Sequence, residues 1–393
     1  MSDRIRLLHL IYGFDLGHYG GGAERFALAL ARSLDPARFE VSIYALWGLG
    51  TPDELRHIEA AEAAGIATAV LSDWVEANPG LSFIRSFRAL DRLMKQQRIH
   101  IVHSHSQFGD TMGLICRAMY PGIKIVRTPH DGHSKEWRRR PFRRALLSNF
   151  LYPLYYHAEI GVSQPIVQRL DNRTLARMLG RHALHIQNAI DLARFQQVGV
   201  EHTTKRAALA LPADAFVVGT VGRLAVEKGY DVLLQAFPTV LEQVPQAHLV
   251  LIGQGDLADD LLCLANDLGI SSRVHFLGAR SDVEELLPIF DLFVSASRWE
   301  GLSTVILESM MSGTPVLATA VGGTCDLIQD GSTGWLVPPE DAPALAKQIV
   351  MAAKDPGRRY EVSDRARETA RQFSIEPVAL AHERLYTSLL ESR

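Results

Sequence analysis

The sequence predicts an α/β chain of two Rossmann-like, doubly wound domains facing across a cleft, and three observations carry that expectation. Short β-branched runs alternate with longer amphipathic patterns through most of the chain, the signature of parallel sheets wrapped by helices. The alternation lapses in one polar stretch and then restarts on a strong strand. With 393 residues, at roughly 150 residues per domain, each of two domains has enough chain to bury its own core.

Taken in order, the first series of strands is read at Ile5–Ile11, Phe39–Ala45, Ala67–Leu71, Ile99–His103, Lys124–Arg127, Glu159–Val162 and Leu184–Ile186. The clearest helix between them is Ala23–Leu34. The segment Phe195–Phe216 reads as polar and irregular, and the linker is placed there. A second series begins at Val217–Val221 and continues at His248–Ile252, Val274–Phe276, Leu292–Ser295, Val316–Ala318 and Gly334–Val337. From Ala342 the pattern is helical to the end. The division is therefore 1–195 for a first domain and 196–375 for a second, with a helix in 376–393 returning to pack on the first. In doubly wound sheets ligands sit beyond the carboxyl ends of the strands, so the loops after each strand are where chemistry belongs.

Composition removes several alternatives. The chain is 47% hydrophobic and 22% charged with a formal net charge of -3, which fits an ordinary globular protein and gives no bulk attraction for nucleic acid. Cys116, Cys263 and Cys325 are odd in number, far apart and without ligand-like spacing, and read as reduced core thiols of a cytoplasmic protein. The apolar run Leu7–Tyr12 is too short for a secretory h-region and reads as the first strand. No segment reaches the roughly 18 apolar residues of a membrane span, so bilayer contact would be peripheral.

Three loops carry the chemistry. After the first strand, Gly20, Gly21 and Gly22 precede a helix, where backbone N–H groups and the helix dipole suit an anion. A plain tight turn explains them as well. After the strand ending near Val221, Arg223 and Lys228 precede a helix beginning around Gly229. Cations there suit a diphosphate leaving group, whose charge grows as its bond breaks, although solvated surface residues would look the same. In Ser295–Gly323, Glu300 follows a strand and Glu308 sits among apolar residues of a helix. A glutamate so placed is costly to bury without partners, and its oxygens suit the vicinal hydroxyls of a ribose. The plainer readings are a dipole-complementing Glu300 and a Glu308 paired with an arginine.

GGAE after strand one, GRL and EKG after the domain boundary, and E-x7-E followed by SGTPV and VGG together resemble the GT-B glycosyltransferases of family 4. The resemblance spans nearly the whole chain, with the E-x7-E block its most specific part. It implies a retaining, hexosyltransferase-like enzyme of polysaccharide biosynthesis that uses a nucleoside diphosphate sugar as co-substrate, with no cofactor and no metal. Carried over by position, Arg223 and Lys228 hold the donor diphosphate, Glu308 the ribose, and Glu300 the donor sugar. Gly21 and Gly22 face the donor from the first domain. Gly253 and Gly255, with Leu277 and Gly278, wall the nucleotide base, and Gly322 and Gly323 line the phosphates. His130, in VRTPHDGH, matches the family's histidine near the anomeric carbon. His103 and His105 end a neighbouring strand and shape the acceptor side. Three histidines in two loops, without acidic companions, do not make a metal site. The family's NG(V/I)D segment appears as QNAID, with Ala189 in place of glycine.

Arg138, Arg139, Arg140, Arg143 and Arg144 mix with Trp137, Phe142, Phe150, Tyr152, Tyr155 and Tyr156. Cations beside aromatics suit an anionic bilayer on the inner face of the membrane, or a phosphorylated or lipid-linked acceptor; an arginine-rich solvent face is the plain alternative. Two rivals stand beside the transferase: a nucleotide-sugar epimerase, for which no convincing acid and base are found, and a catalytically silent sugar-nucleotide-binding subunit of a glycan assembly complex.

Overall fold

The computed structural model describes residues 4–16, 21–75, 78–130, 145–196 and 202–391. The chain divides into two compact units, Met1–Leu16 with Gly21–Ala189 and Ile375–Arg393, and Gly17–Gly20 with Ile190–Ser374.

In the first unit β1 (Ile5–Ile11), β2 (Phe39–Ala45), β3 (Ala67–Val70), β4 (Ile101–Ser104), β5 (Lys124–Arg127), β6 (Ala158–Gly161) and β7 (Leu184–His185) form one sheet in the order β3-β2-β1-β4-β5-β6-β7. Every pairing is parallel, and the winding reverses between β1 and β4, the switch point at which doubly wound sheets bind ligands. Helices α1 (Gly22–Ser33), α2 (Pro52–Ala63), α3 (Pro79–Gln96) and α4 (Gln107–Met119) fill the connections. Their starts follow local chemistry: Thr51, Asn78 and Ser106 each accept a backbone N–H of the first turn, satisfying a donor the helix cannot.

The second unit repeats the plan with β8 (Phe216–Val221), β9 (Ala247–Ile252), β10 (Val274–Phe276), β11 (Leu292–Ser295), β12 (Val316–Thr319) and β13 (Trp335–Val337), ordered β10-β9-β8-β11-β12-β13 and parallel throughout. Its switch point lies between β8 and β11. These strands are buried on both faces, which is why they read as unbroken apolar runs. Helices α5 (His202–Ala208), α6 (Tyr230–Gln243), α7 (Thr304–Ser312), α8 (Ala342–Lys354) and α9 (Pro356–Ala370) belong to this unit, whereas α10 (Ile375–Glu391) returns to the first. There Ile375, Ala379 and Tyr386 join Phe26 and Leu30 of α1 in one core. Glu383 of α10 accepts from the backbone of Asp35 at 2.8 Å and from Arg38 at 3.2 Å.

The strands expected from the sequence are present, with small shifts at their ends. The fourth begins at Ile101 rather than Ile99, because Ile99 donates to the carbonyl of Gln97 (2.9 Å) and is spent in a turn. Two expectations are corrected. The stretch read as irregular between Phe195 and Phe216 contains helix α5, which Arg206 pins by donating to the Ile289 carbonyl and Asp291. Only Cys116 is a core thiol; Cys263 and Cys325 are exposed, since they fall on the solvent faces of their short helices. Among the described residues no helix is long and apolar enough to cross a membrane.

Candidate functional site

In the second unit the loops that leave β8, β9, β11 and β12 converge. After β8, Arg223 pairs with Glu227, and Lys228 with Glu300 from the loop after β11. Ser297 donates to the same Glu300 oxygen at 2.9 Å. The two residues assigned on sequence to different parts of a ligand, Lys228 and Glu300, thus hold each other. Close backbone approach demands glycine at several places, two of which border Glu300 and Lys228 directly. Gly229 caps α6 at φ 62°, and a Cβ there would lie 2.1 Å from the Ala296 carbonyl oxygen; Gly322 has φ 46°, and its Cβ would lie 1.9 Å from the Glu300 carbonyl oxygen.

Of the remaining candidates, Gly253, Gly255, Gly322 and Gly323 lie on the same loops, whereas Leu277 and Gly278 follow β10. Gly323 donates to the Gly301 carbonyl (3.0 Å), Gly253 to Gly278 (2.8 Å), and Leu277 to Leu251 (3.0 Å); the carbonyl of Gly255 accepts from Ala258 (3.1 Å). Glu308 is buried in α7.

Sequence reasoning missed Arg298, which ties this ensemble together. Its guanidinium makes a forked pair with Asp231 (2.8 and 2.7 Å) and donates to Glu340 (2.9 Å) and the Val226 carbonyl (2.8 Å). Its backbone N–H donates to the Glu227 backbone carbonyl (2.8 Å). The hydrogen bond from Arg298 holds the Asp231 carboxyl below its ordinary range. Its signal in the sequence was only its place two residues before Glu300.

The first unit offers a different kind of polarity. Gly21 caps α1 and Gly22 opens it. His130 follows β5, with His105 behind it and His9, on β1, behind that: His105 Nδ1 lies 3.3 Å from His130 Nε2, and His9 Nδ1 lies 2.9 Å from His105 Nε2. His103 is buried, with Nδ1 on the Tyr386 hydroxyl (2.7 Å) and Nε2 on Thr128 (2.8 Å). Burial first, then neighbouring His382, pushes His9 and His130 down to about 3; burial and the surrounding histidines hold His103 and His105 well below the ordinary value. All are neutral at physiological pH. The ligand atoms of His9, His103 and His105 gather within 4.8 Å. Both ring nitrogens of His103 are engaged, by Tyr386 and Thr128. His9 also escaped sequence reasoning, although a lone histidine inside LLHLI was its signal. Gly20 and Arg138, Arg139, Arg140, Arg143 and Arg144 lie outside the described residues.

Comparison with known proteins agrees in both halves. The family described as "Glycosyltransferase Family 4" matches residues 20–194, and "Glycosyl transferases group 1" matches residues 201–373. The chain is similar to a lipopolysaccharide core biosynthesis glycosyltransferase, LpsE, of Rhizobium meliloti (strain 1021), at 37% identity over 50% of this chain and 57% of that protein. It thus spans less than two thirds of that relative's length. It is also similar to an Escherichia coli UDP-Gal:alpha-D-GlcNAc-diphosphoundecaprenol alpha-1,3-galactosyltransferase, at 25% identity over 69% of this chain and 71% of that one. Among solved structures, Anabaena HepE in complex with UDP and glucose superposes with a TM-score of 0.80 at 22% identity, over 98% of this chain and all of that one. The likeness in fold is to GT-B glycosyltransferases.

Proposed function

We propose, for a chain that belongs to the family 4 and group 1 glycosyltransferases, that it transfers a sugar from a nucleoside diphosphate sugar to a glycan or lipid-linked acceptor with retention of configuration. The observation that carries the reading is the convergence of Arg223, Lys228 and Glu300 on loops at the carboxyl ends of β8 and β11, where the sheet switches direction.

The ion pair between Lys228 and Glu300 gives the site its chemistry. A diphosphate that takes Lys228 releases Glu300, which then accepts from hydroxyls of the sugar attached to that diphosphate. One event thus places a cation on the leaving group and a carboxylate on the transferred ring. Arg223 adds the second positive charge. Charge accumulates on the diphosphate as the anomeric C–O bond breaks, so these cations favour the transition state over the bound donor. The acceptor oxygen attacks from the face the phosphate leaves, and its proton passes to the departing phosphate oxygen. With two cations on the phosphates, the step calls for no metal. Glu308 serves the ribose, and the glycine-walled loops at Gly253 and Gly278 serve the base. In the first unit His130, with His105 behind it and His103 packed against His105, is the group assigned to the acceptor.

Peripheral contact with an anionic membrane is part of the proposal. The helical segment that follows the arginines exposes Leu146, Phe150, Leu154 and Tyr155, apolar groups suited to a bilayer boundary. UDP is the first nucleotide to try, since HepE binds it and the E. coli relative uses UDP-Gal by name. The test is incubation with radiolabelled UDP-, GDP-, ADP- and dTDP-sugars. Slow hydrolysis of one donor alone, replaced by faster transfer of its label to the acceptor when one is added, is the expected result; interconversion of sugars, or binding without turnover, would refute it.

A further inference from the structure

Among the described residues, Ala210 and Glu340 are the non-glycine residues at positive φ. Glu340, at φ 58°, sits in the turn between β13 and α8, directly before Asp341, whose carboxylate caps α8 by accepting from the Ala344 N–H (2.9 Å). Left-handed backbone costs free energy in any residue with a Cβ, and glycine would take this position without that cost. What the glutamate does that glycine cannot is reach Arg298, whose Nε donates to its Oε1 at 2.9 Å. The carboxylate is 67% exposed, and an ion pair that open to water contributes little stability. Stability therefore does not account for a glutamate in this turn, and its role lies in what Arg298 holds.

Arg298 is a clamp between two loops. Its two terminal nitrogens fork onto Asp231 in the first turn of α6, three residues after Lys228, and Nη1 also donates to the Val226 carbonyl. Its own backbone N–H donates to the Glu227 carbonyl (2.8 Å). Two residues further along the same loop is Glu300, the partner of Lys228. An end-on fork alone lets the guanidinium swing about the carboxylate it grips. A second acceptor on Nε, coming from a third loop, fixes its plane.

We propose that Glu340 is a positioning residue of the donor site: from a strained turn outside the loops that carry Lys228 and Glu300, it fixes Arg298 and so the separation at which those loops grip a nucleoside diphosphate sugar. The clamp stands on the geometry of the second unit; its use for a donor rests on the transferase reading.

The test compares full-length wild type, Glu340→Gly, Glu340→Gln, and Arg298→Met with and without Glu340→Gly. The measurements are urea unfolding, hydrogen exchange at the Arg298 amide and calorimetric titration with UDP. Glu340→Gly is expected to unfold at higher urea, since its turn relaxes, yet to exchange the Arg298 amide faster. It should bind UDP about fivefold more weakly, the most that a solvent-exposed ion pair carries. Glu340→Gln, which keeps an acceptor for Nε on the strained turn, should lie closer to wild type in exchange and in affinity. In the Arg298→Met background, adding Glu340→Gly should leave UDP affinity where it is, because the effect runs through Arg298. Unchanged exchange and affinity in Glu340→Gly, or losses that add in the double variant, would overturn the proposal. So would a lower urea midpoint for Glu340→Gly, which would make Glu340 a prop of the fold. A wild type that binds no nucleoside diphosphate would end the transferase reading alone, while exchange at Arg298 still decides whether Glu340 sets the two loops.

Discussion

The two units keep their polar groups in opposite ways. In the second, charges are paired with one another on loops, Lys228 with Glu300, Arg223 with Glu227 and Arg298 with Asp231, and the pairs stay partly open to solvent. In the first, His9, His103, His105 and His382 are buried and neutral, with partly exposed His130 at the edge of the cluster. Open ion pairs can exchange partners when a charged ligand arrives, at small net cost. A dry, neutral hydrogen-bonded cluster cannot do so; its geometry is set when the chain folds. The contrast separates a region suited to gripping a diphosphate from one suited to orienting a reacting group.

Acid should break the contrast most forcefully. The folded-state values of His9 and His130 are lowered to about 3, that of His382 to about 4, and those of His103 and His105 well below normal. Groups with depressed values contribute stability that is complete above the unfolded value near 6.5 and is lost as pH falls toward the folded one. Each contributes a slope of up to about 1.4 kcal/mol per pH unit across that window. Hydrogen exchange corrected for intrinsic rates should show β1 and β4 losing protection between pH 6.5 and 4, ahead of β8 and β9. His248, buried in β9, and the partly exposed His275 shift less and are fewer. Earlier opening of the second unit would contradict the assignment of a neutral cluster.

Arginine deletions should show the same divide. Arg127 is buried between Asp110 (2.7 Å) and Glu159 (2.8 Å). Arg127→Met leaves those carboxylates partly uncompensated in the core and should cost about 3–5 kcal/mol in urea unfolding. Arg298→Met breaks a more solvated pair and should cost about 1 kcal/mol, showing mainly as weaker nucleotide binding because the loops carrying Lys228 and Glu300 lose their tie. Equal stability losses would mean that the second network is as dry as the first.

Ligand binding gives the next, narrower effect. Arg223→Ala and Lys228→Ala should each weaken nucleoside diphosphate binding and slow transfer, at about 2–4 kcal/mol in the transition state. His130→Ala should lower turnover while leaving calorimetric nucleotide affinity nearly intact. A folded His130→Ala that loses nucleotide binding would end the division of labour.

Much of this was legible in the sequence. Most of the strands are buried parallel strands that announce themselves as apolar runs, while the exposed β3 and β7 were read from the alternation with helices, so all thirteen were readable to within about two residues. Arg223, Lys228 and Glu300 stood out because charged residues cluster where strands end, and Glu308 because it is an acid among apolar residues of a helix. Their mutual pairing did not, since Lys228 and Glu300 are 72 residues apart and meet only because β11 lies beside β8. The histidine cluster was hidden for the same reason. His9 reads as an ordinary interruption of an apolar strand until the register of β1 with β4 sets it opposite His103. Helix α5 was missed because its seven residues carry a weak local signal and are held by Arg206 and Lys205 against the rest of the unit.

The central claim is that the second unit divides a nucleotide sugar among named side chains, with Lys228 exchanging Glu300 for the diphosphate. Calorimetric titration of free nucleoside diphosphate into wild type, Glu300→Gln and Glu308→Gln tests it most directly. The account predicts that Glu308→Gln binds more weakly, having lost the charged acceptor for the ribose hydroxyls. Glu300→Gln should bind at least as well as wild type, since Lys228 no longer has to leave an acid, yet turn over the intact donor poorly. Equal loss of affinity in both variants would contradict the account.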